Sequence, residues 1–505
     1  MADYDCIVLG AGVAGLTAAR DLNEKGLKVL VLEGSNRIGG RVRTIDWGDN
    51  APLEIGAELI HRTGQEVPLF WHEIRRYDLD VVDIDKPDMF DPKATFCKKA
   101  VQVYLERWRA NGESGFRDGI DVIKDKPFRD GHGVIKEVEL FRKGKDEPIG
   151  KFIEDDLGSP KDTSASKDAY AVADLMFTGT VHGTFENQSV VGTKTDDIYG
   201  QESSAEEYHV VGGYGKLVDG LAQGLNIIKK AKIAKVERFA KRVKVTTDAG
   251  VVYEGKSCIC TFSIGMLKAA VEEGGVEFKP KFSVKRRKAL ESVGMGPVNK
   301  IAIEFNKRVW PENPKLSLIT SPSETYRSFF FPFYNQADRP IITALIERDK
   351  AEELDKLMGK TTNRRVVNPG GSGQSYKSDD MVTEIVEQLG RMFNQSLTLA
   401  DVKQYHVMAW GNEPLVRGGT SFIKYTGATH KEVKEIRRAL ATPDGPLHWA
   451  GEATAYRTNA YSVHGAHGSG QLAAKLVLDF LKGKPLKMPP VPRPKKRHPS
   501  FKDRK

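Results

Sequence analysis

The feature of the sequence that most constrains the fold is a glycine-rich turn near its beginning. Residues 4–9 read as a short buried strand, and the sequence GAGVAG (residues 10–15) follows at once. Apolar residues at helical spacing predict a helix up to about Lys25, and residues 28–32 read as a second strand that ends at Glu33. A strand, a glycine turn, a helix and a second strand within about 30 residues form the unit that binds dinucleotides.

Each glycine of this turn has its own physical task. Gly10 allows the tight turn after the strand, Gly12 lets backbone N–H groups approach a pyrophosphate, and Gly15 lets the helix pack closely on the strand. The N-terminus of the helix adds partial positive charge beside the phosphates. The carboxylate of Glu33 is placed to accept hydrogen bonds from an adenosine ribose. We therefore predict that Gly10, Gly12, Gly15 and Glu33 bind a dinucleotide cofactor.

The basic character of the chain belongs to its C-terminal end. The 505 residues include 77 Lys and Arg and 68 Asp and Glu, which gives a formal net charge of +9. Residues 482–505 hold ten of these basic residues and one acid, which leaves 67 of each sign in the remainder. Six prolines in the same segment favour an extended, solvated chain. We expect a solvated, basic, Pro-rich tail, with an import signal or a polyanion contact as alternatives.

Composition excludes several classes of protein. The sequence is 40% hydrophobic and 29% charged, a balance typical of globular proteins rather than disordered ones. No apolar run approaches the length of about 18 residues that would predict a transmembrane helix. The first residues form no secretory signal, and four cysteines make no disulfide framework. We therefore expect an intracellular, cytoplasmic protein with no clear nucleic-acid-binding motif, and we predict no oligomeric state.

Later segments predict two further groups of strands and one loop. Residues 232–247 and 250–262 alternate between apolar and polar side chains, as strands do. Residues 300–305 and 339–346 read as strands of a second sheet. Residues 361–379 are rich in Gly, Ser and Asn and predict a mobile loop.

Five further motifs occur in a defined order along the chain. They are residues 39–44 (GGRVRT), 56–61 (GAELIH), 211–217 (VGGYGKL), 300–305 (KIAIEF), and the C-terminal pair 449–454 (WAGEAT) and 462–466 (SVHGA). Together they resemble the flavin-containing amine oxidase superfamily, which includes monoamine, polyamine and L-amino-acid oxidases and flavin-dependent histone demethylases. The resemblance covers about residues 4–481.

The resemblance implies an α/β fold of two interleaved domains, a Rossmann-like FAD-binding domain and an α+β substrate-binding domain. The expected segments are residues 1–60, 206–288 and 432–481 for the FAD-binding domain, residues 61–205 and 289–431 for the substrate-binding domain, and residues 482–505 for the tail. The branch of the superfamily that binds flavin covalently uses a cysteine near its C-terminal motif. No cysteine follows Cys260 in this sequence, so the resemblance implies non-covalent FAD.

The implied reaction is a two-electron oxidation of a C–N bond with O2 as the acceptor. In the superfamily, a hydride passes from the carbon that bears a neutral amine to flavin N5, and water hydrolyses the imine. O2 then reoxidises the flavin and gives hydrogen peroxide. The resemblance implies a polyamine or another amine as substrate. An L-amino-acid oxidase is the alternative and would need a cation for the α-carboxylate, for which Arg62, Arg417 and Arg457 are candidates. A chromatin-binding, demethylase-like protein is a further alternative.

The resemblance also assigns cofactor contacts residue by residue. Arg41 would lie near the pyrophosphate, and Glu452 near the ribityl chain or pyrophosphate. Ser462 and Val463 would begin a helix whose free N–H groups face the isoalloxazine ring.

Two more residues match cofactor contacts of the superfamily, and a third matches its catalytic lysine. The backbone of Val236 would contact the adenine, and Trp410 would lie beside the flavin, although core packing would explain both residues equally well. Lys300 begins an apolar strand, where it is either an edge residue or a charge at the flavin. The resemblance favours the charge, which would hold a water near flavin N5 and assist the reduction of O2.

The substrate positions depart from the monoamine oxidase pattern. Thr420 and Ser462 appear at the places where that branch has two aromatic side chains, and a register shift of one residue would bring in Phe422 or Tyr461. The predicted substrate residues are His61, Arg62, Thr420 and Tyr461, with a structural role as the alternative for His61. Cys258 and Cys260 lack the second ligand pair that zinc requires, so no metal site is expected.

Overall fold

The structure is a computed structural model. It describes residues 3–48, 51–62, 68–83, 101–112, 114–118, 146–157, 164–178, 183–184, 186–196, 206–272, 275–310, 318–332, 339–369, 375–457 and 460–491.

The strands, in chain order, are β1 (Tyr4–Leu9), β2 (Val29–Leu32), β3 (Thr44–Asp46), β4 (Pro52–Glu54), β5 (Ile60–Arg62), β6 (Val81–Asp83), β7 (Val101–Tyr104), β8 (Phe116–Asp118), β9 (Glu206–Val210), β10 (Ile227–Ile228), β11 (Ile233–Arg238), β12 (Val243–Thr247), β13 (Val252–Cys260), β14 (Glu277–Lys279), β15 (Val293–Met295), β16 (Val298–Phe305), β17 (Leu318–Thr320), β18 (Ser328–Phe330), β19 (Ile341–Glu347), β20 (Asn363–Val367), β21 (Val402–Met408), β22 (Ser421–Ile423) and β23 (Leu447–Trp449).

The helices are α1 (Val13–Asn23), α2 (Pro68–Arg76), α3 (Glu106–Ala110), α4 (Ile149–Leu157), α5 (Ser164–Thr178), α6 (Val190–Asp196), α7 (Gly215–Ala222), α8 (Ile264–Glu272), α9 (Val284–Glu291), α10 (Arg348–Met358), α11 (Ser378–Phe393), α12 (His430–Ala441) and α13 (Val463–Leu481). None of these helices in the described part of the chain has both the length and the apolar composition needed to span a bilayer.

The first sheet carries the predicted dinucleotide-binding unit. Its order is β10-β2-β1-β13-β12-β11-β14, and β23 pairs with β13. The pairs β10–β2, β2–β1, β1–β13 and β13–β23 are parallel, whereas β12 pairs antiparallel with β13. The apolar runs of β1 and β2 are typical of parallel strands that are covered on both faces. Cys258 and Cys260 lie on one face of β13 and pack in the same core. These strands come from residues 4–32, 227–279 and 447–449.

The second sheet faces the first across the interior of the molecule and has the order β20-β21-β16-β19-β18-β17-β7-β8. Strand β16 lies in its centre, and all eight of its residues are buried. Ile301, Ile303 and Phe305 face the core that α10 and α11 cover. Lys300, Ala302 and Glu304 alternate with them and face the other side, where Ala302 packs with Trp410. The predicted α/β fold is therefore confirmed, with two eight-stranded sheets among the described residues.

Two sequence predictions about irregular segments need correction. Within residues 361–379, the predicted loop is wrong for residues 363–367, because they form β20 and pair antiparallel with β21. The tail is not wholly solvated either. The carbonyl oxygen of Pro489 accepts hydrogen bonds from Tyr456 Oη at 2.9 Å and from Arg438 Nε at 3.1 Å. Residues 492–505 of the tail lie outside the described part of the chain.

Candidate active site

The turn between β1 and α1 has the geometry that its glycines predict. Gly10 has a φ of +102°, and a Cβ there would lie 2.5 Å from Thr261 Oγ1. A Cβ at Gly15 would lie 2.0 Å from the carbonyl oxygen of Gly10, so only glycine allows α1 to start this close to β1. Gly12 precedes the helix without a capping side chain, which leaves the N–H groups of the first turn directed at the space beyond.

A second glycine turn lies directly against the first. Gly39 donates its N–H to the carbonyl oxygen of Ala11 at 2.8 Å, and a Cβ at Gly40 would lie 3.3 Å from the Cα of Gly12. Both turns therefore leave their backbone uncovered on the same side. This is the kind of cradle that a phosphate chain can approach closely.

Two arginines border this cradle. Arg37 donates to the carbonyl oxygens of Ile38 and Gly40, and burial together with the neighbouring charge of Arg43 lowers its pKa to about 10. Arg41 donates to the carbonyl oxygen of Gly419 at 2.6 Å and to Glu452 Oε1 at 2.8 Å. An anion beside Arg37 would favour its charged form and so oppose the effects of burial and of Arg43.

Glu33 closes the turn at the end of β2. Its Oε2 accepts the backbone N–H of Ala11, and its Oε1 accepts the backbone N–H of Ser35, both at 2.8 Å. Since each carboxylate oxygen can accept more than one hydrogen bond, the group can hold the turn and still receive a hydroxyl donor.

Glu452 is the buried acid between the two glycine turns and the helix α13. Its Oε2 accepts from Ser421 Oγ at 2.5 Å and from the N–H of Tyr461 at 3.1 Å. Burial alone would raise the pKa of Glu452, but the charges of Arg41 and Arg437 outweigh it and lower the pKa below its ordinary value. The carboxylate is therefore ionised and fixes Arg41 in place.

Helix α13 begins where the sequence predicted. Ser462 is its N-cap, and its Oγ accepts the N–H of Gly465 at 3.0 Å. A Cβ at Gly470 would lie 2.4 Å from the carbonyl oxygen of Ala14, so this glycine lets α13 pack tightly on α1. The two helices consequently start beside the same space.

Lys300 lies in a buried ion pair. Its Nζ donates to Glu58 Oε2 at 2.7 Å and to the carbonyl oxygen of Glu54 at 3.3 Å, and both side chains of the pair are less than a tenth exposed. The carboxyl of Glu54 is also buried. Burial, together with the charge of Glu58, raises its pKa to about 7, although the hydrogen bonds from Tyr214 and Thr44 oppose the rise.

These residues border one cavity of about 370 Å³ between the two sheets. The predicted residues that line it are Gly10, Gly12, Glu33, Arg41, Lys300, Trp410, Thr420, Glu452, Tyr461, Ser462 and Val463. Phe422 does not line it, because its ring packs against Gly294 in the core. The cavity therefore brings together the glycine turn at one end and Lys300 at the other.

Two predicted cofactor residues, Gly15 and Val236, do not line the cavity, and two predicted substrate residues have side chains outside the described part of the structure. Gly15 affects the site indirectly, because its lack of a side chain lets α1 pack closely on the turn after β1. Val236 is buried in the core of the first sheet, paired with Val245 and Phe278, whereas Ile233, at the start of the same strand, does line the cavity. The backbone of His61 and Arg62 forms β5, and their side chains lie outside the described part of the structure.

The cavity also exposes residues that the sequence analysis did not select, namely Glu58, Arg37, Ile233, Asn299 and Leu345. Glu58 had a detectable signal, because it is a lone acid within the apolar stretch 55–60. A buried charge in such a stretch needs a partner, and Lys300 was the available lysine in another apolar stretch. Arg37 and Asn299 carry no comparable signal.

The residues present fit a bound dinucleotide. Two glycine turns without Cβ atoms, an uncapped helix N-terminus and two arginines offer a pyrophosphate both access and opposite charge. Beyond that cradle, the cavity continues to a wall of Trp410, Lys300 and the start of α13. A glycine cradle that opens into an enclosed cavity is typical of a dinucleotide-binding site.

Comparisons with known proteins identify the family. Residues 13–478 match the family described as flavin containing amine oxidoreductase, and the chain belongs to it. Polyamine oxidase 4 of Oryza sativa subsp. japonica is 25% identical over 489 residues, which are 93% of this chain and 87% of that protein. Lysine-specific histone demethylase 2 of Homo sapiens is 24% identical over 493 residues, which are 94% of this chain but 53% of that protein.

The solved structure of wild-type putrescine oxidase bound to putrescine is similar in fold. It aligns with a TM-score of 0.66 and 18% identity, over 94% of this chain and 99% of that one. The predicted superfamily and fold are thereby confirmed, and the protein is a flavin-dependent amine oxidoreductase.

Proposed function

We propose that this protein is an oxidase that binds FAD without a covalent bond and oxidises a polyamine or a related cationic amine with O2. The observation that carries the proposal is the single cavity that joins the glycine turn to the buried pair of Lys300 and Glu58. When bound, FAD would accept a hydride from the carbon that bears the amine and would be reoxidised by O2 to give hydrogen peroxide.

The cofactor would be held by groups that already face the cavity. Gly12 and the N-terminus of α1 would receive the pyrophosphate, with Arg37 and Arg41 beside its charge. Glu33 would accept a ribose hydroxyl. We place the adenine contact at Ile233 rather than Val236, because only Ile233 reaches the cavity.

The positions of three of the four cysteines support this binding mode, and the fourth, Cys97, lies outside the described part of the chain. Cys6, Cys258 and Cys260 are all buried within the first sheet, away from the cavity wall, and burial raises the pKa of each thiol. Acid or heat should therefore release the flavin into solution, and flavin that stays with the precipitated chain would contradict a non-covalent site.

Glu58 favours a cationic substrate. Its Oε2 is paired with Lys300, and no group among the described residues donates to its Oε1. Glu58 lines the cavity, where its carboxylate can accept a hydrogen bond from a substrate ammonium. Thr420 and Ser462 are small, so the wall leaves room for an extended aliphatic amine where two aromatic rings would narrow it.

The alternative, an L-amino-acid oxidase, has less support from the charges of the cavity. Arg417 and Arg457 are exposed and do not line it. Arg41 does line it, but its guanidinium is bound to Glu452 and Gly419. An α-carboxylate bound at Lys300 would have to compete with Glu58 for the ammonium. The side chain of Arg62 lies outside the described part of the structure.

A screen for hydrogen peroxide separates these functions. The FAD-loaded protein would be mixed with spermidine, spermine, putrescine, a monoamine and several L-amino acids. We expect peroxide from the polyamines and a higher KM for them in Glu58→Gln. Peroxide from L-amino acids alone would support the alternative, with Arg417→Ala and Arg457→Ala as matched tests of an arginine contact. Peroxide from none of them would contradict the proposal.

A further inference from the structure

Asn299 precedes Lys300 on β16 and is completely buried. Consecutive side chains of a strand point to opposite faces. Lys300 points to Glu58, whereas the amide of Asn299 points to helix α10, on the face that also carries Ile301. Asn299 also borders the cavity, but its side-chain amide is engaged by α10, so the buried amide needs an explanation other than contact with Glu58.

The amide uses three hydrogen bonds. Its Nδ2 donates to the carbonyl oxygen of Ala351 and to Asp355 Oδ1, both at 2.9 Å. Its Oδ1 accepts the backbone N–H of Trp410 at 2.6 Å. One side chain thus links α10 to the residue that forms the aromatic wall of the cavity.

The segment that carries the indole is fixed to the same helix at two further points. Asn412 Nδ2 donates to the carbonyl oxygen of Asp355 at 2.8 Å. A Cβ at Gly411 would lie 1.8 Å from Asp355 Oδ2, so the backbone there packs directly against the carboxylate. At the other end of the side chain, Trp410 Nε1 donates to the carbonyl oxygen of Ile55 at 2.9 Å.

We propose that Asn299 is a positioning residue that sets the place of the Trp410 indole in the cavity wall by tying its backbone to α10. The consequence for turnover rests on the proposed function, since it assumes that a flavin lies beside this wall. A displacement of about 1 Å in such a wall can slow a reaction by roughly 100-fold without weakening binding. An apolar residue would fill the same core volume but would leave the N–H of Trp410 without its acceptor.

The variant Asn299→Ala removes all three hydrogen bonds. We expect it to lower the rate constant of anaerobic flavin reduction at saturating amine by roughly 10-fold to 100-fold, with KM changed by less than about threefold. We also expect a changed near-ultraviolet circular dichroism spectrum. Asn306→Ala is the matched control, because this exposed amide donates only to Ala400, at 3.0 Å, and should leave both readouts unchanged.

A double-mutant cycle with Trp410→Phe shows whether the effect passes through the indole. The spectral change caused by Asn299→Ala should vanish when Trp410 is already replaced. The circular dichroism spectrum does not depend on turnover. It therefore tests the role of Asn299 even if no amine reduces the flavin and the proposed function fails.

Two results would overturn the positioning role. One is a folded Asn299→Ala protein with the wild-type spectrum and reduction rate, and the other is an equal spectral change in the Trp410→Phe background. If Asn299→Ala does not fold, Asp355→Ala removes only one of the three bonds. It should give a smaller change of the same kind, and an unchanged spectrum would also overturn the role.

Discussion

At the scale of single residues, Lys300 and Glu58 act as a pair, because neither charge could be buried alone at an acceptable free energy. Removing one partner of a buried pair typically destabilises a protein by about 3–5 kcal/mol. The resemblance to the superfamily selected Lys300. Its partner lies 242 residues away in the sequence, so no local pattern could predict their contact.

Replacing Lys300 tests what its charge contributes. Lys300→Met keeps the length of the side chain and removes the ammonium, so reoxidation of the reduced flavin by O2 should slow by roughly 100-fold or more. Glu58→Gln is the matched control, since it keeps an acceptor for Lys300 and leaves the ammonium in place. Stopped-flow recolouring by O2 measures both variants. If the flavin of Lys300→Met is reoxidised by O2 at the wild-type rate, Lys300 has only a structural role.

His448 makes the stability of the fold sensitive to acid. Its ring is fully buried against Phe480, no group among the described residues bonds to either ring nitrogen, and burial lowers its pKa to about 3. The unfolded chain takes up this proton near pH 6.5, so the stabilisation is complete above that pH and is lost as the pH falls toward 3.

His448→Phe should remove this dependence while it keeps an aromatic ring. Between pH 6.5 and pH 4.5, the free energy of unfolding of the wild type should fall more steeply than that of the variant, by about 1.4 kcal/mol per pH unit. Urea unfolding at several pH values measures the difference. Parallel pH profiles would show that the folded and unfolded states bind this proton equally, which would contradict the lowered pKa of His448.

At the scale of elements, local signals decided which predictions succeeded. The unit from β1 to β2 was predictable because its turn, helix and strands lie within one short segment. The start of α13 was predicted from the resemblance, and the capping serine agrees with it. Strand β20 was not predicted, since Gly and Ser dominate its surroundings, and distant contacts stabilise it: pairing with β21, burial of Val366 and the hydrogen bonds of Arg365. The resemblance assigned the adenine contact to Val236, whereas Ile233 is the residue of this strand that lines the cavity.

The two glycines at α1 should separate folding from cofactor binding. Gly15→Ala puts a Cβ 2.0 Å from a backbone oxygen and should destabilise the FAD-free protein by about 1–3 kcal/mol or more. At Gly12 the nearest atom is 3.9 Å away and φ is −77°, so Gly12→Ala should fold normally. Its methyl group should still weaken FAD binding by about tenfold or more, because it stands where the pyrophosphate approaches. Thermal unfolding without FAD and flavin titration measure the two effects, and equal stability of both variants would contradict the packing argument.

At the scale of the whole molecule, the first part of the C-terminal tail is hydrogen-bonded to the folded body. Arg438 also donates to the carbonyl oxygen of Met488, at 3.3 Å, so two side chains of the body fasten residues 488 and 489. Deleting residues 484–505 should lower the free energy of unfolding by about 1–3 kcal/mol, because the buried hydroxyl of Tyr456 loses its acceptor.

Deleting only residues 492–505 is the matched control and should leave the melting temperature unchanged. Tyr456→Phe in the full chain should reproduce part of the loss caused by the longer deletion. Equal melting temperatures for the two deletions would show that the contacts at Pro489 add nothing to stability.

The two sheets and both glycine turns come together only in the complete fold, since the residues that line the cavity are as distant in sequence as Gly10 and Ala466.

The central claim is that this cavity is the site of flavin-dependent amine oxidation. Its most direct test is to mix the FAD-loaded protein with spermidine without oxygen and to follow the visible absorbance of the flavin. Rapid bleaching, with recovery of the colour when O2 is admitted, is the result that we predict. Flavin that stays oxidised under saturating polyamine, monoamine and L-amino acid would contradict the claim.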